Sequence, residues 1–169
     1  MKYVYNLLLR IIFCFIPLPF LSLILTPITL YISYLTLLPF NPNLVKDSII
    51  INGIPFQFIE ACIATYAYYL IILLTLLTKD IKLLTRIKII LLGSLLILIM
   101  NVFRIFILIY LVMNSGFYWF DLVHMIFWKF VSGVYVALVW IFLVKVFKIH
   151  SIPIYDDIKY LFAKSLFKK

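Results

Sequence analysis

The fold class is decided by residues 87–113, whose sequence is IKIILLGSLLILIMNVFRIFILIYLVM. The only charged residues in this run are Lys88, near its start, and Arg104. A helix needs about 20 predominantly apolar residues to cross the hydrocarbon core of a bilayer, and this run is longer than that. We therefore predict a membrane-spanning helix here, with one arginine well inside it.

The composition of the whole chain agrees with a membrane protein. Hydrophobic residues make up 67% of the 169 residues, and charged residues make up 12%. A soluble domain of this size has no core large enough to hide so much apolar surface. Lipid is therefore the expected solvent for most of the chain, and no room remains for a second, soluble domain.

Three further apolar runs predict three more spans. Prolines break the first apolar region, 7–40, so we expect a short interfacial helix followed by one span, although two crossings of this region are an alternative. Pro55 suits the first turn of the next helix. The predicted fold class is thus an all-α, polytopic membrane helical bundle, with four spans at residues 18–38, 55–78, 87–113 and 122–144.

The lysines and arginines of the loops predict the orientation, because positively charged loops stay on the cytoplasmic side. With four spans, the only basic residue of the outer loops is Lys46. Both termini of this multi-pass cell-membrane protein are then cytoplasmic. The predicted inner set comprises Lys2, Arg10, Lys79, Lys82, Arg86, Lys88, Lys145, Lys148, Lys159, Lys164, Lys168 and Lys169.

Charge and cysteine usage limit the partners. The formal net charge of +9 is explained by topology and by attraction to anionic lipid, so no nucleic-acid partner is expected. Cys14 and Cys62 fit no metal-ligand spacing, and we expect neither a metal nor another cofactor. We divide the chain into one transmembrane domain, 1–148, with its core at 49–147, and a basic amphipathic tail, 149–169, on the inner leaflet.

Three side chains of different spans fall at similar depths near the outer side. Counted from the cytoplasmic ends of their spans, Cys62 and Arg104 lie roughly 24 and 26 Å up, at 1.5 Å per residue. His124 lies at roughly 30 Å by the same rise and can reach down toward them. The sequence therefore predicts a thiol, a guanidinium and an imidazole in one layer.

Three polar neighbours support this cluster. Asn101 lies one helical turn below Arg104 on the same face. Asp121, three residues before His124, can orient the imidazole and favour its protonated form, or can simply cap the helix. Glu60 precedes Cys62 by two residues.

Each of these residues also has a purely structural explanation. Taken alone, Cys62 is more often a small packing group, and His124 an interfacial residue. Cys14 serves as an internal control, because it lies in an apolar run. Lys129 is expected to be buried in the fourth span, where it either reaches toward the interface or pairs with a carboxylate such as Glu60 or Asp121.

Together these stretches resemble the archaeosortase and exosortase family. The residues that carry the resemblance are 60–66 (EACIATY), 101–105 (NVFRI) and 121–124 (DLVH), in this order on successive spans. The chain is short and is similar to the compact archaeal forms. Many members follow the cysteine with Ser or Thr and then Gly, whereas this chain has Ile63 and Ala64, so a hydroxyl would have to come from Thr65.

The resemblance implies an intramembrane cysteine protease or transpeptidase with Cys62, Arg104 and His124 as its catalytic residues. Its substrates would be secreted proteins that end in a short motif, a transmembrane helix and a basic tail. The enzyme would cut near the motif on the extracytoplasmic face and pass the new carboxyl end to a membrane lipid or another acceptor.

The chemistry of the three residues agrees with this function. A thiol beside potential cations is shifted toward the thiolate, which is the nucleophile. His124 can move protons, and Arg104, which stays protonated, can bind the substrate carbonyl or the oxyanion. A small transporter or channel subunit with these residues along a polar path, and a non-catalytic structural protein, are the alternatives.

Overall fold

A computed structural model describes residues 2–14 and 18–164 of the chain as a mostly helical protein with one small sheet. Some side chains within these ranges, among them that of Glu60, fall outside the description. The helices are α1 (Lys2–Cys14), α2 (Leu18–Thr36), α3 (Glu60–Ile63), α4 (Thr65–Leu76), α5 (Leu83–Ser115), α6 (Phe117–Ile126), α7 (Ser132–Val146) and α8 (Tyr155–Lys164). The strands are β1 (Asn43–Val45), β2 (Ser48–Ile51) and β3 (Ile54–Gln57).

Three helices are long and apolar enough to cross a membrane, namely Leu18–Thr36, Leu83–Ser115 and the continuous helical run Phe117–Val146. The predicted second span is shorter than expected. Its regular part, α4, has 12 residues, or about 18 Å of helix, against about 30 Å of hydrocarbon core. The predicted break 114–121 is also too long, because only Gly116 separates α5 from α6.

The sheet is a departure from the all-α prediction. Its three strands are antiparallel in the order β1-β2-β3, and Asn52 and Gly53 make the turn between β2 and β3 with φ values of 50° and 79°. Two positive φ values at an Asn-Gly pair are typical of a tight hairpin. Pro55, predicted in a helix, instead lies in the edge strand β3, where a missing N–H is tolerated. The three isoleucines of β2 explain why this segment prefers a strand.

One hydrophobic core joins the sheet to the long helices. Ile49 and Ile51 of β2 are fully buried against a cluster that includes Leu37, after α2, and Ile105 of α5. Alternation along the strand directs these two side chains to the same face. The sheet is thereby fixed over one end of α2 and α5, which we call the sheet end of the molecule.

A second core joins α4, α5 and α7. Ile71, Ile89 and Leu143 are fully buried in it. α5 approaches both neighbours closely at Gly93, where an added Cβ would lie 2.8 Å from Ile71 Cγ2 and 3.1 Å from Leu143 Cδ1. This packing fixes α4 beside α5, so the residues at the top of α4 face those of α5.

The opposite end of the molecule gathers α1, the end of α4, the start of α5 and α8, and we call it the basic end. Arg10 forms an ion pair with Asp157 at 3.2 Å and donates a hydrogen bond to the Thr78 carbonyl. The Ile154 N–H donates to the Leu77 carbonyl. The tail therefore contacts the helical domain through α8, and its location on the inner leaflet stays a prediction.

Candidate functional site

Cys62 lies at a break between two helices. Its N–H donates to the Ile59 carbonyl at 2.8 Å within the short helix α3. Ala64 then adopts a left-handed conformation, with φ 59° and ψ 34°, before α4 begins at Thr65. The break ends the regular i to i−4 pairing just after Cys62, so the carbonyl of Cys62 is open to partners from other helices.

The left-handed backbone of Ala64 is unusual for a residue that carries a Cβ, because positive φ is free of steric strain only for glycine. Alanine pays roughly 1 to 2 kcal/mol for the same conformation. Thr65, proposed as a replacement for the missing hydroxyl, is buried and does not line the cavity described below.

Two residues of α5 bind the Cys62 carbonyl. Asn101 Nδ2 donates to this oxygen at 2.8 Å, and Arg104 donates to it through a terminal guanidinium nitrogen at 3.0 Å. Both side chains are nearly fully buried. The common depth of Cys62 and Arg104 expected from counting helical residues is therefore seen. Arg104 contacts the backbone of Cys62 itself, and its expected contact with a substrate carbonyl stays a prediction.

Cys62 and His124 line one cavity of about 390 Å³ at the sheet end. Cavities that hold small ligands generally fall between 300 and 1,000 Å³. The remaining wall comes from β3, from α5 through residues such as Ile105 and Ile109, and from the start of α6. The thiol and the imidazole thus open onto a common space.

His124 is held by its own helix. Its ring packs edge-on against Phe120, with 5.4 Å between centroids and 82° between planes. Phe117 and Phe120 also line the cavity. Arg104 is joined to Cys62 by its hydrogen bond to the Cys62 carbonyl, and Cys62 shares the cavity with His124. The three predicted catalytic residues therefore lie at the same end of the molecule.

The supporting carboxylates contribute differently from Asn101. Asp121 is exposed and lies within α6 rather than at its cap. It acts on His124 electrostatically, but no hydrogen bond joins the two side chains in the described part of the chain. Glu60 begins α3, and its side chain lies outside the described residues. The proposed roles of both carboxylates stay predictions.

Lys129 is exposed on the surface of the bundle within the candidate span Phe117–Val146, and whether it reaches toward the interface or pairs with a carboxylate stays a prediction. It belongs to a π-helical turn, Phe127–Val131, between α6 and α7. Ser132 Oγ donates to the Phe127 carbonyl at 2.7 Å across this turn. The wider turn rotates Lys129 to the outside of the bundle, which the regular helical count could not foresee.

A second cavity, of about 480 Å³, lies between α4 and α7. Ala64, Ala67 and Gly133 are small residues of its wall, and Arg104 also contributes to the wall. Arg104 thus lines this second cavity. Through its hydrogen bond to the Cys62 carbonyl, it also contacts the segment that borders the cavity of Cys62 and His124. Arg104 therefore lies between the two cavities, the second of which was not predicted from the sequence.

Cys14 has different surroundings. It is buried in α1, and its carbonyl accepts a hydrogen bond of 2.6 Å from the Tyr69 hydroxyl. Burial raises the pKa of the Cys14 thiol, although Arg10 and Arg86 act in the opposite direction. Because the thiolate is the reactive form, this thiol is less suited to attack a substrate.

The contribution of β3 to the site was missed by reasoning from the sequence. Residues 54–58 all line the cavity of Cys62 and His124. The signal that could have revealed the strand is the Asn52-Gly53 pair after three isoleucines, which is the strongest short-range indication of a hairpin.

Comparison of the chain with family models, with curated proteins and with solved structures finds no match. Its class is therefore given by the molecule itself. It is a mostly helical protein with three candidate membrane-spanning helices and a cysteine, an arginine and a histidine brought together at one end.

Proposed function

We propose that the chain is an intramembrane cysteine transpeptidase of the archaeosortase and exosortase kind. One observation carries the proposal: Asn101 and Arg104 both bind the Cys62 carbonyl, while Cys62 shares a cavity with His124. A packing cysteine needs neither a buried arginine on its backbone nor a histidine opposite it. A charged side chain inside a membrane usually marks function, because its insertion is unfavourable by roughly 2.5 to 3.5 kcal/mol.

The proposed reaction has two steps. The Cys62 thiolate attacks a peptide carbonyl carbon, and the tetrahedral intermediate collapses to a thioester as the amine leaves with a proton from His124. An acceptor hydroxyl or amine then gives its proton to His124 and attacks the thioester. The thiolate is released, and the carboxyl end of the substrate is joined to the acceptor.

Arg104 and Asn101 prepare the nucleophile in this scheme. Their hydrogen bonds to the Cys62 carbonyl hold the helix break in place and so position the thiol. Stabilisation of the oxyanion by the Arg104 guanidinium remains part of the proposal.

The substrate class and the orientation complete the proposal. The substrates are secreted proteins that end in a short motif, a transmembrane helix and a basic tail, and the acceptor is a membrane lipid or another nucleophile. The distribution of Lys and Arg places the basic end in the cytoplasm and the sheet end outside. Reporter fusions test this directly, with residues 80 and 165 expected inside and residues 45 and 117 outside.

The function is tested with a reporter protein that carries such a tail, expressed with the chain in cells. In the variant Cys14→Ala, Cys62 is the only thiol, since the chain has two cysteines. A membrane-impermeant thiol reagent applied from outside is expected to stop reporter processing, because it alkylates Cys62 in its outward cavity. The measurement is the rate at which the reporter loses its tail, with and without reagent.

A variant that lacks the other cysteine provides the control for this experiment. The matched variant Cys62→Ala, in which Cys14 is the only thiol, is expected to show no processing and little labelling from outside. Processing by the Cys14→Ala variant that continues after complete labelling of Cys62 would overturn the proposal.

A small transporter is the second candidate, and one observation favours it. The helix break at Ala64 and the π-helical turn 127–131 both lie near Arg104, and interrupted helices often form transport sites. A transporter predicts substrate flux that survives Cys62→Ala, whereas a transpeptidase predicts that the loss of the thiol stops the reaction.

A further inference from the structure

Strand β3 forms part of the wall of the cavity that contains Cys62 and His124. Five consecutive residues, 54–58, line this cavity, and no described residue of β1 or β2 does. Side chains alternate between the two faces of a strand, so a cavity against one face would meet only every second residue. A cavity that runs along the edge of β3, past its main chain, accounts for contact with all five.

This edge is open to another strand. The described residues form a sheet in which β3 pairs only with β2, so its far side has no partner strand. Across the two-residue turn Asn52-Gly53, Ile51 faces Ile54, and Phe56 faces Ile49. These are the hydrogen-bonded pairs of the hairpin, and the Phe58 N–H donates to the Asp47 carbonyl in the same series.

The residues between these pairs point their main-chain groups away from β2. They are Pro55 and Gln57. Pro55 offers only its carbonyl to a partner, because it has no N–H. Gln57 offers both an N–H and a carbonyl, so the Gln57 N–H is the one main-chain donor that β3 directs into the cavity. The edge thus presents two acceptors and one donor at alternate positions.

We propose that the extended segment of the protein substrate binds as a fourth strand along β3, antiparallel or parallel to it, and that this pairing delivers its scissile carbonyl to Cys62. The inference rests on the proposed function. Gln57 and Cys62 line the same cavity only five positions apart in the chain, so a peptide aligned with the strand edge continues toward the thiol. Main-chain pairing of this kind recognises an extended backbone with little dependence on its sequence.

The position of the edge explains the choice of occupant. A peptide bond must be exposed and extended for a thiolate to reach its carbonyl, and a strand edge holds a peptide in that form. A strand edge with all of its N–H and C=O groups free would pair with many other strands. Pro55 removes one N–H from the edge of β3 and so limits this unspecific pairing. The remaining donor at Gln57 then fixes the register of the bound segment.

Two variants at one position separate main-chain pairing from side-chain contact. Gln57→Pro removes the N–H directed into the cavity, whereas Gln57→Ala keeps it and removes only the side chain. We expect processing of the tailed reporter to be at least about tenfold slower in Gln57→Pro than in Gln57→Ala, the scale of one lost hydrogen bond, because both variants lack the glutamine side chain and only the first lacks the N–H. Equal losses in both variants, or no loss in Gln57→Pro, would overturn strand addition.

A binding measurement keeps the test decisive if Gln57→Pro fails to insert. In the inactive variant Cys62→Ala, a photo-crosslinking side chain is placed at Gln57 or, as a matched control, at Val45. Both side chains are exposed on edge strands, and Val45 lies on β1 at the opposite edge of the sheet. Crosslinks to the reporter from residue 57 but not from residue 45 support the proposal, and the reverse pattern overturns it.

A synthetic peptide that spans the cleaved segment of the reporter gives the most specific signature. Single N-methylation at successive positions is expected to weaken its competition with the reporter at every second residue. Uniform weakening, or none, contradicts strand pairing. Normal processing without this periodicity would refute strand addition at β3 but leave the proposed transpeptidase function intact. Periodic binding without any processing would support strand addition and refute the transpeptidase function.

Discussion

Arg86 and Arg104 lie on the same helix, α5, about five turns or roughly 27 Å apart. Both donate hydrogen bonds to backbone carbonyls. Arg86 donates to Ile81, Leu76 and Thr78. These carbonyls belong to the end of α4 and the turn after it, where a helix leaves acceptors without intrahelical partners. Arg104 donates instead to the carbonyl of Cys62, which lies at the break between α3 and α4 rather than at the end of a long helix.

The difference shows how surroundings separate structure from function. Arg86 satisfies a helix end of a kind found in every helical protein. Arg104 holds one carbonyl beside a thiol, and two cavities approach it. The two cysteines repeat the contrast, since Cys14 is buried at the basic end and Cys62 lines a cavity. Paired substitutions at the two ends therefore test the assignment.

The largest effect is expected for the two thiols. Cys62→Ala should reduce reporter processing at least about a thousandfold, because it removes the nucleophile of the covalent step. Cys14→Ala should leave processing nearly unchanged. The rate is measured per membrane-inserted molecule, since either variant can alter abundance. Processing that survives Cys62→Ala in a well-inserted protein excludes thiol catalysis.

The arginines should separate activity from stability. Arg104→Lys is expected to slow processing about a hundredfold, the scale of losing one preorganised donor, because lysine lacks the planar fork. Arg86→Lys should instead lower the free energy of unfolding by about 1 to 2 kcal/mol through lost carbonyl contacts, with the processing rate per molecule unchanged. Near-normal turnover in Arg104→Lys would remove the arginine from the catalytic assignment.

The asparagines give a smaller contrast on the same helix. Asn101→Ala removes one of the hydrogen bonds to the Cys62 carbonyl and should slow processing about tenfold, equivalent to one hydrogen bond. Asn114, which donates to the Tyr110 carbonyl of its own helix at an exposed position, provides the control. Asn114→Ala should process the reporter at the normal rate. Equal rates for the two variants would argue against positioning by Asn101.

The smallest effect is expected at the helix break. Ala64→Gly should raise the free energy of unfolding by about 0.5 to 1 kcal/mol, because relief of left-handed strain exceeds the entropy that glycine loses on folding. Ala67→Gly, within α4, should lower it by about 1 kcal/mol. Thermal unfolding in detergent measures both. A destabilised Ala64→Gly variant would indicate that Ala64 is held by its packing rather than tolerated in spite of strain.

The helical part of the fold could be read from the sequence because its signal is long. The run 87–113 lies within α5, and 18–38 agrees with α2 to within two residues. The proximity of Cys62 and Arg104 followed from the constant rise of the α-helix, which converts residue counts into depth. The grouping of the site was therefore predictable once the spans were placed.

The rest depended on short features that apolar periodicity does not reveal. The strand residues Ile49 to Ile51 look like any other apolar run, and only their turn marks them as a hairpin. The left-handed Ala64 and the π-helical turn near Lys129 carry no local signature of their own. Each departs from regular helix over one or a few residues, a stretch too short for hydrophobic periodicity to reveal.

The shortness of α4 has a consequence for the surrounding lipid. A 12-residue helix extends about 18 Å, well below the hydrocarbon thickness of about 30 Å. Such hydrophobic mismatch is relieved when the bilayer thins beside the short segment. α4 borders the cavity that contains Ala64 and Arg104. Thinning at this place would lower lipid headgroups toward Arg104, so the membrane itself would help to bring a polar lipid acceptor to the depth of the thiol.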